Sequence, residues 1–191
     1  MTDVLEKIVP LKEFWLAVRT NDIHTLRELC KDVNLPTFDD SYCTNHLLQK
    51  AMRQKASIEV LRFLVDHGVD PHKLPHESGT GTSPLHQAVV MQRLDYIDFI
   101  LDYDVDPNHG LIDYRDTLSA IGSSVQPATQ IEILKRLIAK NVDLNFIFPL
   151  FGDMSKGFTV LDHAWSDDAK DFLRSHGAKT AAELRSESAT A

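Results

Sequence analysis

The segment DHGVDPHKLPH, residues 66–76, holds the densest set of metal-ligand types in the chain: His67, His72 and His76 with Asp66 and Asp70. Imidazoles and carboxylates converging on one point would make a structural zinc site, or a hydrolytic one if a position stayed open. The spacing argues against convergence. His67 precedes a glycine that ends a helical pattern, His72 falls where other segments place asparagine, and two prolines stiffen the connection. A second pair, Asp167-Asp168, offers adjacent carboxylates of the kind used in general acid/base work. Adjacent acids at a helix start are also what the macrodipole and capping favour. Cys30 and Cys43 lack CxxC spacing, so they are expected to stay reduced, with Cys30 a small core side chain. No phosphate-binding glycine loop, HExxH or nucleophile elbow occurs. The expectation is therefore a non-catalytic chain with no cofactor and no metal. A metal-binding protein or enzyme using the His67–His76 loop is the alternative.

Composition narrows the partners. The 191 residues are 43% hydrophobic and 25% charged, which suits one compact domain or a short array with a continuous core. With 28 acidic against 20 basic side chains the net charge is −8, and the long-range field repels phosphate backbones. No Lys/Arg cluster with interleaved aromatics appears, and KRLIAK at 135–140 reads as the solvated face of a helix. Nucleic acid is not an expected partner, and neither is a membrane. No run reaches the roughly 18 apolar residues a spanning helix needs, and MTDVLEKIV is acidic where a signal peptide is basic. Cytoplasmic residence is expected, with translocation into a host cell by a specialised secretion machine as the alternative.

The elements that must carry these residues repeat. SPLHQAVVMQRLDYIDFILDYDVDPN, residues 83–108, reads as two short amphipathic helices back to back, too short to enclose a core between them. Ser83 can cap the first and Pro84 suits its first turn. Leu85 and Ala88 share one face, and Leu94, Ile97, Ile100 and Leu101 form the stripe of the second helix. Related segments anchored on Ala17, Ala51, Ala88, Ile121 and Ala164 follow one another at 34, 37, 33 and 43 residues. After each second helix, Gly68, Asp104, Asn141 and Gly177 occupy equivalent places where the chain must turn through a left-handed conformation. One unit alone leaves apolar area wet. Leu48, Leu61, Leu64 and Val65 are thus expected to continue a core that includes Leu134, Leu137 and Ile138.

SPLHQA and, more loosely, TVLDHA match the T-P-L-H-x-A signature, at a spacing near the ~33-residue period of ankyrin repeats. The endings LDYDVDPN, VDHGVDPH and AKNVDLN fit the same pattern. The sequence resembles the ankyrin-repeat family over nearly its whole length. The resemblance implies an all-α fold, a solenoid of stacked helix-turn-helix units with projecting turns. Five units are expected, over about 11–36, 44–73, 82–109, 116–146 and 158–178, in a single domain 1–185. The first and fifth depart most, with Phe14-Trp15 and Val160 in place of the threonine-proline entry, and Trp15 and Trp165 are expected to fill the end layers. Extra residues around 125–128 and a long connection from Asn145 to Thr159 are read as insertions. TAAELR is expected as a C-terminal capping helix similar to that of bacterial ankyrin proteins, followed by a polar tail, 186–191. His86 belongs to the SPLH motif, where the resemblance implies an imidazole bonding to backbone between units.

The resemblance also implies that a protein partner docks on the concave face made of first helices and turns. Exposed first-helix positions carried over by alignment are Arg19 and Thr20, Arg53 and Gln54, Val90 and Met91, and Ser123 and Ser124. The connecting turns add Phe38, Tyr42, Tyr114 and Arg115. The connection 146–158 is unusually apolar, with Phe146, Ile147, Phe148, Leu150, Phe151 and Met154. These either form extra core or an interaction hot spot, since aromatics bury large area at low entropy cost. The expected function is a non-catalytic protein–protein interaction module, acting as adaptor, effector or inhibitor. A monomer is expected, with self-association through residues 146–154 as a further alternative.

Overall fold

A computed structural model of the chain describes residues 10–35, 47–72, 83–108, 117–124, 126–150, 153–164 and 166–190. The backbone divides into two compact parts, Met1–Pro84 and Leu85–Ala191.

In the first part, α1 (Leu11–Thr20) pairs with α2 (Ile23–Cys30), and α3 (Leu47–Arg53) pairs with α4 (Ile58–Asp66). Phe14, Ala17 and Val18 are spaced i, i+3, i+4 and form the buried face of α1. Leu26 and Cys30 face inward from α2, and α2 packs on α4 through that side. Val60, Leu61, Phe63 and Leu64 are buried on α4. Enclosing a leucine such as Leu61 or Leu64 contributes roughly 1.5–3 kcal/mol. Asp22 caps α2, accepting from Thr25 N at 3.0 Å, and Ser57 caps α4, accepting from Val60 N at 3.3 Å. The turn inside each pair is closed by a left-handed residue, Asn21 at φ 56° and Lys55 at φ 61°. Asn21 also looks forward: its Oδ1 accepts the backbone N–H of Ser57 at 2.6 Å, fixing where the next second helix begins.

The second part comprises α5 (Pro84–Val90), α6 (Leu94–Leu101), α7 (Thr117–Ser124), α8 (Pro127–Ile138), a hairpin of β1 (Phe148–Leu150) and β2 (Asp153–Phe158), then α9 (Val160–His163), α10 (Asp167–Ser175) and α11 (Ala181–Thr190). Helix α6 packs on α8 and α8 on α10, while α7 packs on α9. Leu85, Ala88, Ile97, Ile100, Leu134 and Leu137 are enclosed, as are Leu48, Leu61 and Leu64 in the first part. Leu94, Val65 and Ile138 are only half-buried. On α6 their place is taken by Tyr96 and Phe99, because a helix this short and apolar buries two sides. The turn before α6 repeats the device of Asn21. Gln92, at φ 55°, uses Oε1 to accept from Gln126 N at 3.1 Å and from Thr129 Oγ1 at 2.8 Å, at the start of α8.

All four places expected to turn left-handed after second helices do so: Gly68, Asp104, Asn141 and Gly177 have φ of 94°, 55°, 59° and 83°. Charged side chains along the second helices meet one another, with Arg136 Nε 2.6 Å from Asp98 and Lys140 3.0 Å from Asp104. The KRLIAK segment is accordingly a solvated face laced by ion pairs.

Three expectations need correction. Residues 127 and 128 are not an insertion between helices but the first turn of α8, since proline is well suited to a helix start. The long connection from Asn145 to Thr159, read as an insertion, is not a loop throughout: it holds an antiparallel hairpin in register Phe148↔Phe158 and Leu150↔Asp153. The C-terminal helix runs to Thr190, so it extends through residues 186–190 of the polar tail instead of ending before them. That helix is anchored on one side by Arg185, which donates to Gly157 O at 2.6 Å, and on the other by Thr180 and Glu183, which cap one another's backbone amides at 3.3 and 2.7 Å.

Candidate partner-binding surface

Five apolar residues run from Phe14 to Val18, but a helix cannot turn all five inward. Phe14, Ala17 and Val18 take the core, and Trp15 and Leu16 are left on the flank. There they line an open groove of about 350 Å³ with Lys12, Arg19 and Gln54. Leu16 is 49% exposed, the largest exposure of a bulky apolar side chain among the described residues. Trp15 is half-buried, set edge-on to Phe14 with ring centroids 5.1 Å apart, and Lys50 of α3 places its ammonium 4.2 Å from the indole centroid. The indole N–H is shielded from solvent and meets no acceptor among the described residues. Trp15 is thus a groove wall rather than an end-layer filler, which corrects the sequence expectation. Arg19 and Gln54, both expected on the recognition surface, are brought together here, and Arg53 stands exposed beside Gln54. Trp15, Leu16 and Lys12 were missed. The signal that could have found them was the length of the apolar run itself, longer than one helical stripe accommodates.

In the second part, Val90 is 37% exposed at the end of α5 and Met91 half-exposed in the following turn. Ser123 and Ser124 end α7, and their side chains lie outside the described residues, as do Phe38, Tyr42, Tyr114, Arg115 and Phe151 altogether. Phe146 is half-buried and Leu150, in β1 next to the hairpin turn, is 36% exposed. Phe148 is not a surface contact: it is 1% exposed, with ring centroids 5.1 Å from Phe146 and 5.6 Å from Phe158. It points inward because the alternation of a strand sends Phe148 to the side opposite Pro149, and the aromatic of the facing strand closes over it. The hairpin therefore contributes core at Phe148 and surface at Leu150.

The clusters with chemical potential resolve into local bonds. His67 Nδ1 lies 2.7 Å from Phe63 O at the end of α4, and the ring packs at 4.0 Å on Phe63. The Asp70 carboxylate accepts the backbone N–H of His72 at 2.8 Å, closing a turn. His76 lies outside the described residues, among which no group of three His, Cys, Asp or Glu side chains is placed to hold a metal ion. Asp167 and Asp168 open α10 behind the Ser166 cap, which accepts from Ala169 N at 3.2 Å. His163 stacks on Phe158 at 3.8 Å and is exposed, and His86 sits half-buried on α5. Cys30 is a free thiol, and burial pushes its pKa up to about 11, out of the reactive range.

Helix pairs joined by left-handed turns, with second helices packed in sequence order within each of the two parts, place this chain among the all-α repeat proteins. The family described as ankyrin repeats (3 copies) matches residues 14–110, and the chain belongs to that family. No curated protein matches it. Ankyrin repeats are generally protein–protein interaction modules and are typically non-catalytic. Among the described residues no helix is long and apolar enough to cross a membrane.

Proposed function

We propose that the chain is a non-catalytic module that holds one protein partner, acting as an adaptor and, less economically, as an effector or an inhibitor. Five helix-pair units over 11–36, 44–73, 82–109, 116–146 and 158–178 form a single domain 1–185, closed by a C-terminal helix of bacterial type. It works as a cytoplasmic monomer, and nucleic acid is not its partner. The recurrence of side-chain bonds to backbone at 36, 34 and 35 residues, from Asn21, Gln92 and Asn108, supports a common unit geometry. The observation that carries the functional reading is the groove beside α1. There Trp15 and Leu16 leave apolar area uncovered next to Arg19 and Gln54, and tryptophan and arginine are the side chains enriched where interfaces concentrate their binding energy.

Affinity capture with chemical cross-linking, run on the native chain and on Trp15→Ala, Arg19→Ala and Met91→Ala, tests it. One captured protein should lose most of its yield with Trp15→Ala and Arg19→Ala. Retention of that protein by all three variants would remove the reading. Sedimentation over a range of concentrations checks the monomer.

A further inference from the structure

We infer that the groove lined by Lys12, Trp15, Leu16, Arg19 and Gln54 takes an acidic segment of the partner protein, an extended stretch in which carboxylates flank one bulky apolar side chain. The inference rests on the reading of this groove as the recognition surface and supplies the chemistry of its occupant.

Local charge runs against global charge. The chain carries −8, yet the five lining residues include two cations and no acid. Elsewhere the guanidinium groups of Arg93, Arg136 and Arg174 lie on carboxylates of their own chain, at 2.5, 2.6 and 2.6 Å. Lys12 and Arg19 have no such partner among the described residues, so their charge is left for something else to neutralise. Gln54 alone on the lining both donates and accepts, and every other polar group there only donates.

Spacing then sets the length of the occupant. Lys12, Trp15, Leu16 and Arg19 stand at i, i+3, i+4 and i+7 on α1, one flank of the helix. At ~1.5 Å per residue the two cations lie about 10 Å apart along the axis, and because alternate side chains of an extended chain face opposite ways, an acid–x–apolar–x–acid pattern spanning about 13 Å presents all three groups to the groove. Between them Leu16 and the indole offer apolar contact. One face of the ring already carries the Lys50 ammonium, which adds to the cationic character of the wall. A segment with an acid at each end and a leucine or phenylalanine between them satisfies both cations and covers the apolar floor.

The test uses the full chain with Trp165→Phe, leaving Trp15 as the only reporter of the two tryptophans. Indole fluorescence and the anisotropy of a labelled ligand are followed against four probes. These are a blocked octapeptide with a central leucine flanked by glutamates, its glutamine counterpart, its lysine counterpart, and an eight-nucleotide uridine strand. The glutamate peptide alone should saturate. Its Kd should rise roughly tenfold or more with Arg19→Glu or Lys12→Glu, and should rise with added salt, as an exposed charge complement requires. Circular dichroism on each variant, and Leu16→Ala as a charge-neutral variant, separate lost binding from lost fold. Equal binding of the glutamine peptide, preference for the uridine strand, saturation by none of the probes, or binding that appears only after residues 1–9 are deleted would each overturn the inference. Partner capture is run in parallel on Arg19→Glu. If the peptide fails while capture still depends on Trp15 and Arg19, only the acidic occupant is wrong. If capture is also indifferent, the reading of the groove falls with it.

Discussion

Asn145 and Lys179, 34 residues apart, are locked by a single amide side chain. Asn145 Oδ1 accepts from Lys179 N at 2.8 Å, while its Nδ2 donates to Gly177 O at 3.2 Å. Asn108 repeats the arrangement one unit earlier, accepting from Asp143 N at 2.6 Å and donating to Asn141 O at 3.1 Å. In both cases the receiving backbone carries a left-handed residue, Gly177 or Asn141, whose turn exposes a carbonyl and an amide together. An amide satisfies both, having an acceptor and a donor in one plane. A carboxylate satisfies only one.

Asn145→Ala should therefore destabilise the chain by about 1–3 kcal/mol, because the half-buried Lys179 amide loses its acceptor and the exposed Gly177 carbonyl its donor together. Asn145→Asp keeps the bond to Lys179 N and should fall between the two. Urea denaturation is the measurement, with the midpoint moving and the slope unchanged. Equal midpoints for native chain and Asn145→Ala would mean water replaces the amide without loss.

Two glycines with different constraints should respond differently to alanine. A Cβ on Gly157 would stand 2.5 Å from Phe148 O and 2.6 Å from Ile147 Cγ2, so β2 must pull away from β1. At Gly177 a Cβ meets nothing within 4 Å, and only φ +83° opposes it. Gly177→Ala should cost about 1–2 kcal/mol, the penalty of a left-handed L-residue. Gly157→Ala should cost more and also disturb the β1–β2 pairing, seen as faster amide exchange at Phe158. If Gly157→Ala proves the milder change, the close approach of the two strands is not maintained in solution.

The C-terminal helix carries an acid-sensitive clasp. Glu183 accepts from Arg174 at 2.6 Å and from Thr180 N at 2.7 Å, and these bonds, the guanidinium first, hold its pKa at about 2 against an ordinary 4.5. A carboxylate lowered in the folded state contributes stability in full above about 4.5 and loses it as pH falls through about 2. The native chain should exceed Glu183→Gln in thermal midpoint at neutral pH, and the gap should close as pH drops from about 4.5 toward about 2. A gap that stayed constant over that range would show that the clasp does not depend on the charge.

The repeat was legible in the sequence because its punctuation is chemical. Gly68, Asp104, Asn141 and Gly177 mark the ends of second helices, since few residues tolerate positive φ, and Leu85, Ala88, Ile97 and Ile100 mark the buried faces by spacing. The turns inside pairs were not legible, because Asn21, Lys55 and Gln92 share a conformation and not a chemistry. The hairpin was hidden for a related reason. FPL and DMSKGF are too short for alternation to show, and Gly157 reads as loop until the packing of Phe148 against the facing strand makes it necessary. The groove was half legible: Arg19 and Gln54 came from alignment, whereas Trp15 and Leu16 required asking which of five successive apolar residues a helix could bury.

The choice between core and interface for the hairpin is decided by comparing Phe148 with Leu150. Both are bulky and apolar on one three-residue strand, yet Phe148 is 1% exposed and Leu150 36%. Removing an enclosed phenylalanine takes away its transfer energy and leaves a cavity between Phe146 and Phe158, a loss of roughly 3–5 kcal/mol. Truncating Leu150 opens no cavity and should stay within about 0.5 kcal/mol. Phe148→Ala should thus lower the denaturation midpoint markedly while Leu150→Ala leaves it unchanged, and any effect of Leu150→Ala on partner capture then reports contact rather than folding. Should the two variants lose similar stability, Leu150 is covered in solution by something the isolated hairpin does not supply. A fall in the sedimentation coefficient of Leu150→Asp relative to the native chain would identify that cover as a second copy.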